Sequence, residues 1–425
     1  MKIIYNAGIH FYKLLILLAA LAGNKKAALW LQGRKDWRNK LRNFQKKSGE
    51  TIWFHCASLG EFEQGRPLIE AMRERKKDIT VILSFFSPSG YEIRKNYPHA
   101  DLVCYLPLDT PGNAKDFIEI IRPDTVYFIK YEYWYNYLDI LYRKKIPVYI
   151  VSGIFRDSQL FFRWYGSFWR GMLKKVKHFF LQNQESASLL ASIGISCYLV
   201  TGDTRFDRVI QVTNNNFNNP LLDGFSKNSM VMVCGSTWPQ DERILSGLFD
   251  KPEFRGLKVI LAPHEIDPVN IRKILQLFSG KLHTSQIGEF SKSSPEHMSS
   301  CRLLVLDTMG QLTSVYRYAS IAYVGGGFGK GIHNILEPAV YGIPVIFGPR
   351  HEKFQEAKQL LVDGAAFCVH DEKELLTITG TMVNQRSFRE NAGKASRQFI
   401  LSNAGATDRI LEYSGQSIAG KFKTV

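Results

Sequence analysis

From residue 51 onward the chain alternates short apolar runs with stretches of helical periodicity, and this alternation restricts the fold more than any other feature. Apolar runs fall at 52–56, 80–85, 102–106, 125–129, 148–151, 178–181 and 197–200, with helical patterns between them, for example at 66–75 and 133–142. They resume at 231–234, 259–262, 303–306, 321–324, 345–347 and 366–369. Such spacing predicts parallel sheets covered by helices on both faces. The polar run 214–219 followed by Pro220 is the best linker in the chain and divides the two series. At 425 residues the chain is too long for one ordinary core. The expectation is therefore an α/β protein of two Rossmann-like, doubly wound domains facing a cleft, at 26–213 and 229–425, joined by a linker at 214–228. Residues 1–25 form a separate N-terminal helix, and the C-terminal helices pack back toward the first domain. A donor would sit on the second domain and an acceptor on the first.

In such sheets ligands bind beyond the carboxyl ends of the strands. After the first strand come Ser58 and Gly60, which suit a tight strand-to-helix turn, and then Glu61 in the first helical turn. From that stretch alone, Glu61 reads as a complement to the helix dipole. After the fourth strand, Glu132 is set among Tyr131, Tyr133, Trp134 and Tyr135 and followed by Asn136. Two glutamates in one crevice would suit general-base work on a sugar hydroxyl and its orientation.

The second domain holds VGGGFGKGIHNILEPAVYGIP at 324–344. It reads as strand, glycine loop, helix start, strand. Glycines are needed where the backbone takes positive φ or approaches a ligand, and a loop opening a helix presents N–H groups to an anion. Gly325, Gly326, Gly327, Gly329 and Gly331 with Lys330 are thus a candidate phosphate cradle, and a plain structural turn is an equal reading of the glycines alone. The loop is neither a P-loop nor a dinucleotide fingerprint, because Lys330 is followed by glycine and stands where a third glycine would be. Glu337 favours a ligand, since a carboxylate there is placed to accept hydrogen bonds from a ribose diol. Ser236 and Thr237, ahead of Pro239, are a second candidate anion site or a simple helix cap.

The N-terminal run LLILLAAL at 14–21 belongs to an apolar stretch of about 16 residues, 7–22, shorter than the ~20 of a spanning helix. Residues 1–50 carry eleven Lys or Arg against Asp36 and Glu50, hence +9 of the chain's +16. A signal peptide and a buried core helix are competing readings. The preferred one is a helix that dips into or barely spans the bilayer, with the basic segment held on an anionic surface. Aromatic and basic residues interleave again at 155–180, for which a lipid-facing surface is preferred over nucleic acid, with a packed amphipathic helix close behind. The six scattered cysteines, with no CxxC pair, suit reduced core residues.

Five motifs in order, ASLGE at 57–61, GDTRFD at 202–207, GST at 235–237, LDTMGQL at 306–312 and VGGGFGKGIHNILEPA at 324–339, resemble the 3-deoxy-D-manno-octulosonic acid (Kdo) transferases of Gram-negative bacteria. The resemblance covers nearly the whole chain and includes the N-terminal anchor. It implies a GT-B fold and transfer of Kdo from CMP-Kdo to the 6-hydroxyl of the lipid A precursor, with inversion, without metal or cofactor, at the cytoplasmic face of the inner membrane. Glu61 then matches the general base and Glu132 a second active-site glutamate. Ser58, Gly60, Trp134 and Asn136 fall on the acceptor side. Ser236, Thr237, the loop 325–331, Asn334 and Glu337 match donor-binding segments, with Glu337 the ribose ligand. Arg205 and His264 are expected at the phosphate or the Kdo group. APHEID at 262–267 lacks the arginine usual in the family, Lys130 replaces a frequent glutamate, and Lys353-Phe354 replaces a frequent Asn-Phe. The alternatives are a GT-B-fold nucleotide-sugar epimerase and a non-catalytic lipid-surface protein.

Overall fold

The computed structural model describes residues 1–213 and 217–419; residues 214–216 of the expected linker, and 420–425, lie outside the described residues. The chain separates into two compact units, Met1–Arg208 with Ala404–Val425, and Val209–Asn403.

The first unit is built on seven parallel strands: β1 (Thr51–Cys56), β2 (Thr80–Phe85), β3 (Leu102–Tyr105), β4 (Thr125–Ile129), β5 (Val148–Gly153), β6 (His178–Leu181) and β7 (Tyr198–Val200). Their order is β3-β2-β1-β4-β5-β6-β7, so the topological switch point lies between β1 and β4. Both faces of β1 are buried, which is why it reads as a continuous apolar run. On one face Trp53 packs against Phe117, Phe128 and Tyr137. On the other, Phe54, Tyr127, Tyr149 and Phe180 stack in a row across four strands. The helix Ala406–Ala419 covers this second face: Tyr127 shares a hydrogen bond with Ser414, and Tyr413 stacks on His178. Asp207 fastens its start by accepting the backbone N–H groups of Gly405 and Thr407, each at 2.6 Å.

Four helices precede or adjoin the site of this unit: α1 (Lys2–Leu21), α2 (Lys25–Gly33), α3 (Trp37–Arg42) and α4 (Leu59–Arg75). α1 has 20 residues and no buried side chain, with mean hydropathy 1.5. It is therefore longer than the 16-residue apolar count, about 30 Å by helical rise, and it is no core helix. The apolar count begins after Asn6, whereas the helix reaches back through Asn6 to Lys2.

The second unit also has seven parallel strands: β8 (Met230–Thr237), β9 (Leu257–Pro263), β10 (Ile287–Glu289), β11 (Leu303–Val305), β12 (Ile321–Val324), β13 (Val345–Phe347) and β14 (Ala366–Cys368). The order β10-β11-β9-β8-β12-β13-β14 again puts a switch point at a central pair, β8 and β12. β10 has no counterpart among the expected strands. It is a three-residue edge strand, Ile-Gly-Glu, too short and too polar to stand out as an apolar run.

Candidate functional site

In the first unit, Glu61 follows β1 and Glu132 follows β4, on either side of the switch point. Ser58 precedes α4 in an extended conformation and its hydroxyl donates to the Glu61 carboxylate. Glu61 is half-buried and Gly60 exposed. Glu132 is 8% exposed and held from two sides, by His55 Nε2 at 3.0 Å and by Trp134 Nε1 at 2.7 Å. His55 is fixed in turn by Ser84 through its Nδ1. Lys130, at φ 69°, turns the chain sharply between β4 and Glu132. Non-glycine residues in that region cost energy and cluster where function needs a set geometry. Around the half-buried Tyr131 ring the structure gathers charges: burial raises its hydroxyl pKa, Arg156 and Arg205 oppose the rise, and Glu61 and Asp203 add to it. Arg205 lies against Asp203 at 2.8 Å. Glu61, Arg205 and Tyr131 thus share one environment.

Asn136, expected on the acceptor side, has its amide nitrogen engaged within the protein. It is buried, and its Nδ2 donates to Asn6 Oδ1 and to the Asp109 carbonyl. Its amide nitrogen ties α1 to the body of the unit. Tyr5 does the same, its hydroxyl donating to Asp109 Oδ2 at 2.7 Å. Further along α1, Tyr12 stacks on Phe86, and Phe86 on Trp134. One stripe of α1 therefore leans on the carboxyl edge of the sheet, close to the Glu132 carboxylate.

In the second unit, the expected strand, glycine loop, helix and strand are present, with Glu337 in the first turn of Leu336–Ala339. Gly326 sits at φ 93°, and a Cβ there would lie 2.4 Å from the Gly331 carbonyl oxygen. At Gly327 a Cβ would strike the backbone of Gly348 at 2.5 Å. Both positions therefore demand glycine. The loop is a narrower cradle than expected. Gly325, Gly326, Gly329 and Gly331 donate their N–H groups to the Gly235 carbonyl, the Asp241 carboxylate and, for the last two, the Gly326 carbonyl. Among the described residues the amides of Gly327, Phe328 and Lys330 have no protein acceptor. Glu337 accepts from Asn334 Nδ2 at 3.0 Å and Thr313 Oγ1 at 2.9 Å, and is half-buried.

Ser236, at φ 54°, places Thr237 in the interior, where its hydroxyl donates to Glu242 Oε1 at 3.1 Å. Thr237 thus supports the turn and is not exposed to a ligand. His264 stacks on Trp238 and His333 with ring centres 4.6 and 4.5 Å away. His333 Nε2 accepts from Trp238 Nε1 at 3.1 Å, and burial, with His264 beside it, pushes its pKa down to about 4. The ring is neutral at physiological pH.

Asp241 is the residue the motifs did not expose. It is 1% exposed and accepts from Tyr323 Oη at 2.7 Å, Trp238 N at 2.8 Å and Gly326 N at 2.9 Å. An acid just inside the helix after Gly235-Ser236-Thr237 was its only signal in the sequence. Among the described residues no group of three or more His, Cys, Asp or Glu side chains could hold a metal ion.

Residues 35–208 match the family described as 3-deoxy-D-manno-octulosonic-acid transferase (kdotransferase). The chain is 29% identical over 331 residues to a 3-deoxy-D-manno-octulosonic acid transferase of Aquifex aeolicus, 77% of this chain and 84% of that protein. It is 25% identical over 374 residues to the protein of the same name from Bordetella pertussis, 85% and 86% of the two chains. The crystal structure of a putative UDP-N-acetylglucosamine 2-epimerase from Listeria monocytogenes aligns with a TM-score of 0.62, covering 88% of this chain and 98% of that one at 11% identity. That likeness shows the fold: two Rossmann-like units of the GT-B kind.

Proposed function

We propose that this chain is a Kdo transferase, a glycosyltransferase, as its likeness to that family supports, and that it transfers Kdo from CMP-Kdo to the 6-hydroxyl of the lipid A precursor, lipid IVA, with inversion and without a metal or cofactor. The observation that carries the reading is Glu61 at the β1/β4 switch point, oriented by Ser58 and sharing the surroundings of Tyr131 with Arg205. A carboxylate in that position can take the hydroxyl proton as the oxygen attacks the anomeric carbon. Glu132, held by His55 and Trp134, is a positioning group for the sugar that carries the hydroxyl.

CMP departs as a phosphomonoester, and its developing charge calls for fixed donors. The amides of Gly327, Phe328 and Lys330 with the Lys330 ammonium are suited to that work, and Glu337 with Asn334 to the ribose hydroxyls. Ser236 and His264 line the same carboxyl edge of the second sheet.

The proposed location is the cytoplasmic face of the inner membrane. In its support, Ile3, Ile4, Phe11, Leu14, Leu15, Leu18 and Leu21 of α1 are exposed while Tyr5, Asn6 and Tyr12 bind the body. A helix covered on one stripe and apolar on the other lies along a bilayer surface, and the adjoining basic segment suits an anionic leaflet. The epimerase alternative has only the fold in its favour.

The test is incubation of the purified protein with CMP-Kdo and tetraacylated lipid A precursor without divalent metal, following the acceptor by mass spectrometry. A mass increase in whole Kdo units is expected. Absence of product while CMP still binds would refute the acceptor, and absence of both would refute the donor site.

A further inference from the structure

A cavity of about 860 Å³ lies in the first unit between α1, α2 and the segment that follows β3. That volume is within the ~300–1,000 Å³ of small-molecule sites. Leu17 and Leu21 of α1, Trp30 and Leu31 of α2, and Pro107 and Leu108 form apolar walls. Lys13, Arg34, Lys35 and Arg38 also line it, and no aspartate or glutamate does. Neither Glu61 nor Glu132 reaches it, so it is separate from the proposed acceptor hydroxyl site.

Arg34 is the distinctive member. Its guanidinium is stacked on the Trp30 ring at 3.7 Å and donates to the carbonyls of Leu106 at 2.8 Å, Phe86 at 2.7 Å and Trp30 at 3.1 Å. No carboxylate pairs with it among the described residues. The carbonyl dipoles and the Trp30, Phe86 and Tyr105 rings fix the group and offset part of its charge, but no anion neutralises it, and a half-buried net charge favours an anion nearby. Burial indeed lowers its pKa, to about 9. Arg38 is already paired with Asp116 at 2.7 Å. Lys13 and Lys35 are exposed at the lining, and the outward apolar face of α1 adjoins its walls.

We propose that this cavity holds one anionic phospholipid of the bilayer, with an acyl chain between α1 and α2 and the phosphate beside Lys13, Arg34 and Lys35. The proposal rests on the reading of α1 as a membrane-surface helix. A lipid so placed makes α1, and through it the Phe86–Trp134 contact, sensitive to the charge of the membrane.

The experiment uses the full chain in neutral detergent, titrated with palmitoyl-oleoyl phosphatidylglycerol or phosphatidylcholine and read by native mass spectrometry, alongside flotation with vesicles of each lipid. One retained phosphatidylglycerol per chain is expected, with phosphatidylcholine lost under the same conditions. The exposed pair Lys13→Glu/Lys35→Glu is expected to lower retention at least tenfold. Ala20→Trp, which fills the cavity without altering charge, is expected to abolish retention while circular dichroism shows the fold intact. Equal retention of both lipids, or unchanged retention in both variants, would overturn the proposal. So would one-for-one displacement of phosphatidylglycerol by the tetraacylated precursor, which would make the cavity an acceptor site. Flotation without a retained lipid would remove the site and leave the membrane reading standing, whereas failure to float would remove both.

Discussion

Replacing Glu242 by glutamine is expected to stabilise the protein at neutral and alkaline pH and to do nothing at pH 4. Glu242 lies in the first turn of the helix Pro239–Ser246, 3% exposed, and forms no ion pair among the described residues. Burial is the main reason its carboxyl is pushed from the ordinary 4.5 up to about 7; the Thr237 hydroxyl pulls the other way and Asp241 adds to the rise. The folded protein therefore binds this proton more tightly than the unfolded chain does. Below about pH 4.5 both states are protonated and stability is undiminished. As pH rises to about 7 the unfolded chain ionises first, and the folded state loses stability through that window. The limiting loss is about 3 kcal/mol, from ~1.4 kcal/mol for each tenfold change in proton affinity. Partial access of water makes about 1–3 kcal/mol the working range. Glutamine retains an oxygen for the Thr237 hydroxyl, so the hydrogen bond at 3.1 Å survives. Urea unfolding of both proteins at several pH values between 4 and 8 gives the difference directly. A gain absent at pH 4 and full by pH 8 is expected. A difference that is constant with pH, or no difference at all, would refute the argument that Glu242 is buried without compensation.

Glu61→Gln should bind CMP-Kdo nearly as well as the wild type and lose turnover by the ~10²–10⁴ of a missing general base; full activity in the transfer assay would remove Glu61 from that role. Gly326→Ala should cost at least about 1–2 kcal/mol from its positive φ alone, with more from the contact with the Gly331 carbonyl, and should weaken CMP binding in calorimetry. Tyr5→Phe removes a donor from Asp109, which burial has already pushed up to about 6. It should lower stability by about 1–2 kcal/mol at pH 8, read by thermal melting. The loss should shrink as pH falls through 6 and Asp109 is protonated in the folded state.

The strand and helix alternation was legible because each strand of a doubly covered parallel sheet is apolar along its whole length. That signal fails for β10, where an edge position tolerates glycine and glutamate in three residues. The glycine loop was legible for a related reason: Gly326 and Gly327 stand where no Cβ fits. Which of its amides remain available was not. The sequence shows no sign that Asp241 reaches Gly326, 85 positions away, or that Gly235 takes the N–H of Gly325. The partners of the Asn136 amide were not legible for the same reason, since they are Asn6 and Asp109.

Periodicity, turn chemistry and charge balance act between near neighbours, so the chain alone determines its elements, its two series of strands, the positions that must be glycine and the apolar, basic start. Polar satisfaction joins residues that only folding brings together. The choice of Glu132 as the carboxylate held by His55, the tie between Tyr5 and Asp109 across 104 positions, and the burial of Arg34 without an acid were therefore decided by tertiary structure. A buried donor or charge must find its partner in space, whatever its distance along the chain.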